Sequence, residues 1–143
     1  MTDPLPLTVF SQDDISHLNR TYGSPLDESG IHEVFNLLGG HACLTQWAYY
    51  RLTATRPTAI GTLIAKAAAD DGPFAGHLRA KYRRLEQHAN LADAFRDLLR
   101  FQTQPTQPDI YRLQALGLVK FDDSNRIVPA NRLYARFFER VLR

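Results

Sequence analysis

Apolar residues recur at helical spacing along most of the chain, and that spacing gives way once, near residue 118. An extended lead-in is expected over residues 4–10, because Pro4 and Pro6 cannot sit inside a helix. Ser11 is a good N-cap, with Asp13 and Asp14 in the first turn where the helix dipole favours negative charge. Ile15, Leu18 and Tyr22 then share a face until Gly23 stops the helix. A second helix runs through Ile31, Val34, Phe35 and Leu38 to Gly39-Gly40. A third, about 41–54, is expected to bury Leu44, Trp47, Ala48 and one of Tyr50 and Leu52 before Arg56-Pro57 closes it.

Residues 58–69 predict a short helix weakened by Gly61, and Asp70 to Pro73 a turn. Over 74–87, Leu78, Tyr82 and Leu85 form one stripe and Arg79, Lys81, Arg83 and Arg84 lie mostly outside it. The next helix, about 91–101, buries Leu91, Phe95, Leu98 and Leu99. After a polar connector over 102–108, a helix over 109–116 stops at Gly117. The period then becomes that of a hairpin: a strand over 118–121, turn chemistry over 122–125, a returning strand over 126–128, and Pro129 to end it. Asn131 caps a last helix through Leu133, Tyr134, Phe137, Phe138 and Leu142. The fold class is mainly α, with a helical subdomain over 1–70 and a winged-helix-like subdomain with one small β-hairpin over 71–143.

Composition fits that picture. The 143 residues are 44% hydrophobic and 22% charged, as in a globular chain that buries a core without a disulfide or metal staple. Cys43 is the one cysteine, so no internal disulfide forms and the usage suits a reducing cytosol. Residues 1–6 lack the charged start and apolar run of a signal peptide, and no window approaches the ~18 apolar residues of a membrane span. The expectation is a soluble cytoplasmic protein without a membrane partner. Charge is uneven: residues 1–50 hold six acids and one base, Arg20, whereas residues 51–143 hold 16 Lys/Arg against nine acids. That asymmetry steers an anionic partner to the second part, or simply lets the two parts complement each other.

Catalytic patterns are missing. No Gly-x-x-x-x-Gly-Lys-Ser/Thr occurs, Gly39-Gly40 is too little for a dinucleotide fingerprint, and no His-Glu-x-x-His pairs imidazoles for zinc. His41 and Cys43 stand two apart, on different faces of a helix, so Cys43 reads as a small buried hydrophobe rather than a nucleophile. His17, His32, His77 and His88 read as surface or capping residues, and Asp70-Asp71 and Asp122-Asp123 as turn residues. No enzyme, cofactor or metal is expected. For DNA, the helix over 109–116 exposes Asp109, Tyr111, Arg112 and Gln114, with a single positive charge, and the hairpin tip sets Asp122 and Asp123 beside Lys120 and Arg126. The stronger basic run, Arg79, Lys81, Arg83 and Arg84, is of a kind more often found as a solvated helix face.

Several stretches together resemble the bacterial AAA-like (STAND-type) ATPase family. Val34 to Thr45, with Gly39-Gly40-His41 at its centre, is similar to that family's Gly-Gly-His-Pro-Tyr-Leu stretch. Gly72 to Arg79 resembles the opening of the family's C-terminal unit, and Leu113 to Lys120, Val128-Pro129 and Leu133 to Phe138 resemble its terminal winged helix. The lead-in from Leu5 to Phe10 resembles the exit from the ATPase core. The resemblance spans nearly the whole chain. It implies that residues ~11–70 correspond to a helical lid that closes over nucleotide and relays its state to partner domains in bacterial signalling, which makes Gly40 and His41 the nucleotide-proximal positions. Two departures stand out: the phosphate-binding core is not in this sequence, and Ala42 replaces the family's proline. The chain is then either a C-terminal piece of a longer ATPase or a free-standing adaptor.

The leading expectation is a non-enzymatic regulatory module that binds a protein partner (an ATPase core, an effector domain or another copy of itself), with Tyr49, Tyr50 and Tyr111 as candidate contacts. The alternative is a winged-helix DNA-binding regulator that uses Arg79, Lys81, Arg83, Arg84 and Arg112.

Overall fold

The computed structural model describes residues 9–142; the expected extension over 4–8 lies outside the described residues. Helices α1 (Gln12–Thr21), α2 (Glu28–Leu38), α3 (Ala42–Leu52) and α4 (Ile60–Ala65) come first. Then follow α5 (Ala75–Glu86), α6 (Ala89–Phe101), α7 (Gln107–Ala115), strands β1 (Val119–Phe121) and β2 (Ile127–Pro129), and α8 (Arg132–Val141). The protein is mainly helical, with one small antiparallel hairpin among the described residues. None of the described helices is long and apolar enough to cross a membrane. The chain forms two compact units, one reaching Ala67 and including Asp71–Pro73, the other made of Ala68–Asp70 and the chain from Phe74 onward.

In the first unit, helix ends are set by short polar side chains. Ser11 Oγ accepts from the Asp14 N–H at 3.1 Å while the Ser11 N–H donates to Asp14 Oδ2 at 2.9 Å, a reciprocal capping box. The donated N–H holds the Asp14 carboxyl below its ordinary range. Asp27 caps α2 by accepting from the Gly30 N–H at 2.8 Å. Buried Asn19 ties down the α1–α2 loop, donating to Leu26 O at 2.9 Å and accepting from the Leu26 N–H at 3.2 Å. α2 packs against α1, α3 and α4. The core holds Ile15, Ile31, Val34, Leu38, Leu44, Ala48 and Leu63, with Tyr49 stacked on Tyr22 at 5.4 Å.

Two expectations for α3 are corrected. Trp47 is not core but 41% exposed, and Cys43 is exposed rather than a buried hydrophobe. α3 is apolar on nearly all sides, so spacing alone did not say which stripe faces in. The inner face takes Leu44, Thr45, Ala48, Tyr49 and Leu52.

The second unit is organised by α6, which contacts α5, α7 and α8. α8 brings in Leu133, Tyr134, Phe137 and Phe138 at helical spacing, and Phe138 meets Phe95 edge-on at 5.3 Å and Phe137 at 5.0 Å. Asn131 caps α8 as expected, its Oδ1 accepting from the Tyr134 N–H at 2.8 Å. In the hairpin Lys120 pairs with Val128, and Asp122 Oδ1 accepts from the Ser124 and Arg126 N–H groups, both at 2.9 Å. The outer edge of β2 is met by a side chain: the Gln104 amide accepts from the Ile127 N–H at 2.8 Å and donates to Ile127 O at 3.0 Å. That pair of bonds imitates one residue of a further strand and blunts the edge. Several boundaries differ from expectation: α4 covers Ile60–Ala65 rather than 58–69, the strands start one residue later, and two further shifts have a local cause. α7 starts at Gln107 rather than Asp109, because Pro108 sits in the first turn, where its missing N–H costs no helix bond. Pro129 closes β2 from within rather than after it, as an edge strand tolerates.

Candidate functional site

The turn that joins α2 to α3 gathers the two positions expected near nucleotide. Gly39 ends α2 at φ 61°, and Gly40 follows at φ 76°. The Gly40 carbonyl accepts from the Phe10 N–H at 2.7 Å, and Val9 bridges His41 antiparallel. His41 is half-buried and caps α3, its Nδ1 accepting from the Leu44 N–H at 3.2 Å. The structure thus gives Gly40 and His41 a definite local task, pinning the chain that enters α1 to the start of α3.

The basic residues divide by exposure. Arg79 is exposed and donates to the Asp70 carbonyl at 3.1 Å. Arg83 and Arg84 are exposed in the last turn of α5, where positive charge offsets the helix dipole. Lys81 turns inward. Its ammonium donates to the Leu116 carbonyl at the end of α7, and burial, with Arg84 nearby, pushes its pKa below the ordinary lysine value. That assignment as a nucleic-acid contact is therefore corrected: its charge is committed to holding α7 on α5. Arg112 is exposed in the last turn of α7.

The aromatic candidates divide. Tyr49 is fully buried, which corrects its assignment as a contact residue. Desolvation pushes its phenol pKa up to about 12. Tyr50 is 57% exposed and Tyr111 75% exposed. Beside Tyr50 stand two residues that the sequence pattern did not mark as contacts. Trp47 stacks on Tyr50 at 5.2 Å and 10°, and the Arg51 guanidinium lies 5.1 Å over the Trp47 ring. Trp47 Nε1–H donates to the Pro73 carbonyl at 2.8 Å, which fixes the indole. The signal was present as the spacing of 43, 47, 50 and 51 along one side of α3, but Leu44, Ala48 and Leu52 offered an equally apolar stripe.

Among the described residues no group of three His, Cys, Asp or Glu is placed to hold a metal ion. A groove of about 350 Å³ in the second unit touches Leu98, Gln104, Arg126, Ile127 and Glu139. It carries both signs of charge, and Gln104 is already committed to Ile127.

Against this geometry stand the comparisons with known proteins. A family model described as an AAA-like domain matches residues 2–140. Neither a curated protein nor a solved structure matches the chain.

Proposed function

The chain belongs to the AAA-like domain family, and on that premise we propose that it is a non-enzymatic regulatory module acting through protein contacts. In this reading the first unit is the helical lid and the second the winged helix of a STAND-type ATPase, without the nucleotide-binding core. Its partner is an ATPase core, an effector domain or a second copy, in a cytoplasmic setting. The observation that carries the reading is the character of the second unit's outer surface. Phe101, Tyr111 and Phe121 are 70%, 75% and 47% exposed on α6, α7 and β1. The exposed cation on α7 is Arg112, and Lys81 is turned inward. Exposed aromatic residues suit a protein partner, and the exposed cations next to them in sequence, Arg100, Arg112 and Lys120, are offset by the exposed acids Asp122 and Asp123 at the hairpin tip.

The DNA-regulator alternative rests on Arg79, Arg83, Arg84 and Arg112. Titrating fluorescent duplex DNA with the purified chain at low and near-physiological salt separates the two. The protein-module reading expects no sub-micromolar binding at either salt. Tight binding that falls steeply with salt and is lost when Arg83 and Arg84 are reversed to Glu would overturn it in favour of the DNA regulator.

A further inference from the structure

We propose that the outer face of α3 is a docking surface for an acidic protein segment that carries an apolar side chain beside its carboxylates. This rests on the protein-contact reading above and names the surface and the chemistry of its occupant.

Cys43, Trp47, Tyr50 and Arg51 share one side of α3, opposite the buried Leu44, Ala48 and Leu52. Trp47 and Tyr50 are held as a stacked pair with Arg51 on top, and the indole N–H is anchored on Pro73. Such an arrangement is ordered before a partner arrives, so less side-chain entropy is lost on binding. Trp, Tyr and Arg are also the residue types that supply most binding energy at protein interfaces. Large apolar side chains in contact with one another and with solvent mark an interaction surface rather than chance exposure.

Local charge selects the occupant. Residues 34–69 contain no Asp or Glu, yet include Arg51, Arg56 and Lys66. The Thr58 N–H donates to the Arg51 carbonyl at 3.0 Å, folding the loop that carries Arg56 back onto the last turn of α3. Arg51 makes a ring contact, and no ion pair of Arg51 occurs among the described residues. A guanidinium without a carboxylate favours a partner that brings one, in paired hydrogen bonds. The stacked rings meanwhile receive the neighbouring apolar side chain. Asp71, exposed two residues before Pro73, is the acid that the chain brings up to the anchor in sequence. Stacked aromatics also accept nucleobases. A single guanidinium beside the rings matches one carboxylate of a peptide, however, better than the phosphate that a strand repeats at every nucleotide, whose binding grows with the number of cations it meets.

Trp47 is the one tryptophan, so intrinsic fluorescence reads this surface directly. The purified full chain is titrated with a 12-residue peptide alternating Asp/Glu with Leu/Phe, with its Asn/Gln counterpart, and with a 12-nucleotide oligo-dT. The proposal expects a saturable change in Trp47 emission with the acidic peptide, at least tenfold weaker binding for Arg51→Gln and Tyr50→Ala, and unchanged binding for Tyr111→Ala. It is overturned if the acidic peptide leaves the emission unchanged, if the Asn/Gln peptide binds as tightly, or if oligo-dT binds more tightly than either. A chain that associates with an ATPase core yet shows no peptide response loses this assignment alone. Tight duplex binding lost with Arg83 and Arg84 removes the broader reading instead.

Discussion

Gly40 and Gly117 hold the same backbone conformation in the two units, φ 76° and 75°, each in the turn that follows a helix. Their surroundings differ. A Cβ at Gly40 would overlap the Phe10 carbonyl oxygen and stand 3.1 Å from Val9 Cγ1. At Gly117 the neighbour is the Nζ of Lys81, 3.2 Å away at the end of a flexible side chain. One glycine is required by its conformation and by the close approach of another backbone segment, the other chiefly by its conformation. The lead-in to α1 is consequently part of the first unit's framework, since Phe10 and Val9 are fastened to the Gly40–His41 turn.

The largest expected effect follows at once. Gly40→Ala adds left-handed strain of about 1–2 kcal/mol to a steric conflict of about 1–3 kcal/mol. The first unit should lose about 2–5 kcal/mol on those two grounds. Urea unfolding followed by Trp47 fluorescence measures it, and a loss no larger than about 1–2 kcal/mol, the conformational strain alone, would break the contrast with Gly117. His41→Ala, which removes the cap but not the glycine, separates the turn from the helix end.

The second test sets the units against each other at alkaline pH. Tyr49 in the first unit has its pKa raised from 10.0 to about 12 by burial. Above pH 10 the unfolded phenol ionises while the folded one keeps its proton, so the folded state binds more protons and stability falls as pH climbs towards 12. The fall is at most about 2–3 kcal/mol, at roughly 1.4 kcal/mol for each tenfold change in proton affinity. Lys81 in the second unit has the opposite sign. Its folded pKa is lowered, so between that value and 10.5 the folded state sheds its proton first and stability rises with pH. Trp47 emission reads the first unit and amide exchange in α7 the second. Tyr49→Phe should abolish the alkaline loss. It also removes a buried hydroxyl with no hydrogen-bond partner among the described residues, so stability at neutral pH should not fall.

What the sequence made legible was whatever a few neighbouring residues decide. The Ser11 and Asn131 caps, the stop at Gly117 and the hairpin turn are all written within four residues of where they act. The AAA-like family was legible too, from short stretches spread along the chain, and the family model matches residues 2–140. Inside and outside were harder on α3. Cys43, Trp47 and Tyr50 make as apolar a stripe as Leu44, Ala48 and Leu52, and only packing against α2 decides between them. Lys81 illustrates the same limit: its commitment to Leu116, 35 residues on, leaves no local mark on a helix rich in Arg. The candidate surface therefore rests on long-range placement, whereas the helix that carries it did not.

The smallest effect is the sharpest test of how the two glycines differ. Gly117→Ala should cost the second unit about 1–2 kcal/mol, the conformational strain alone. The Lys81 tip is the far end of a four-carbon chain, and a movement of a few tenths of an ångström relieves the contact. Lys81→Met removes that tip and its bond to Leu116, and Gly117→Ala in the Lys81→Met background should cost almost what it costs alone. A coupling below about 0.5 kcal/mol in that double-mutant cycle is the expected result. A coupling of about 1 kcal/mol or more would mean that the lysine is wedged as firmly as the Phe10 carbonyl is against Gly40. The two turns would then be built on one principle, with side chain and backbone serving equally as the stop.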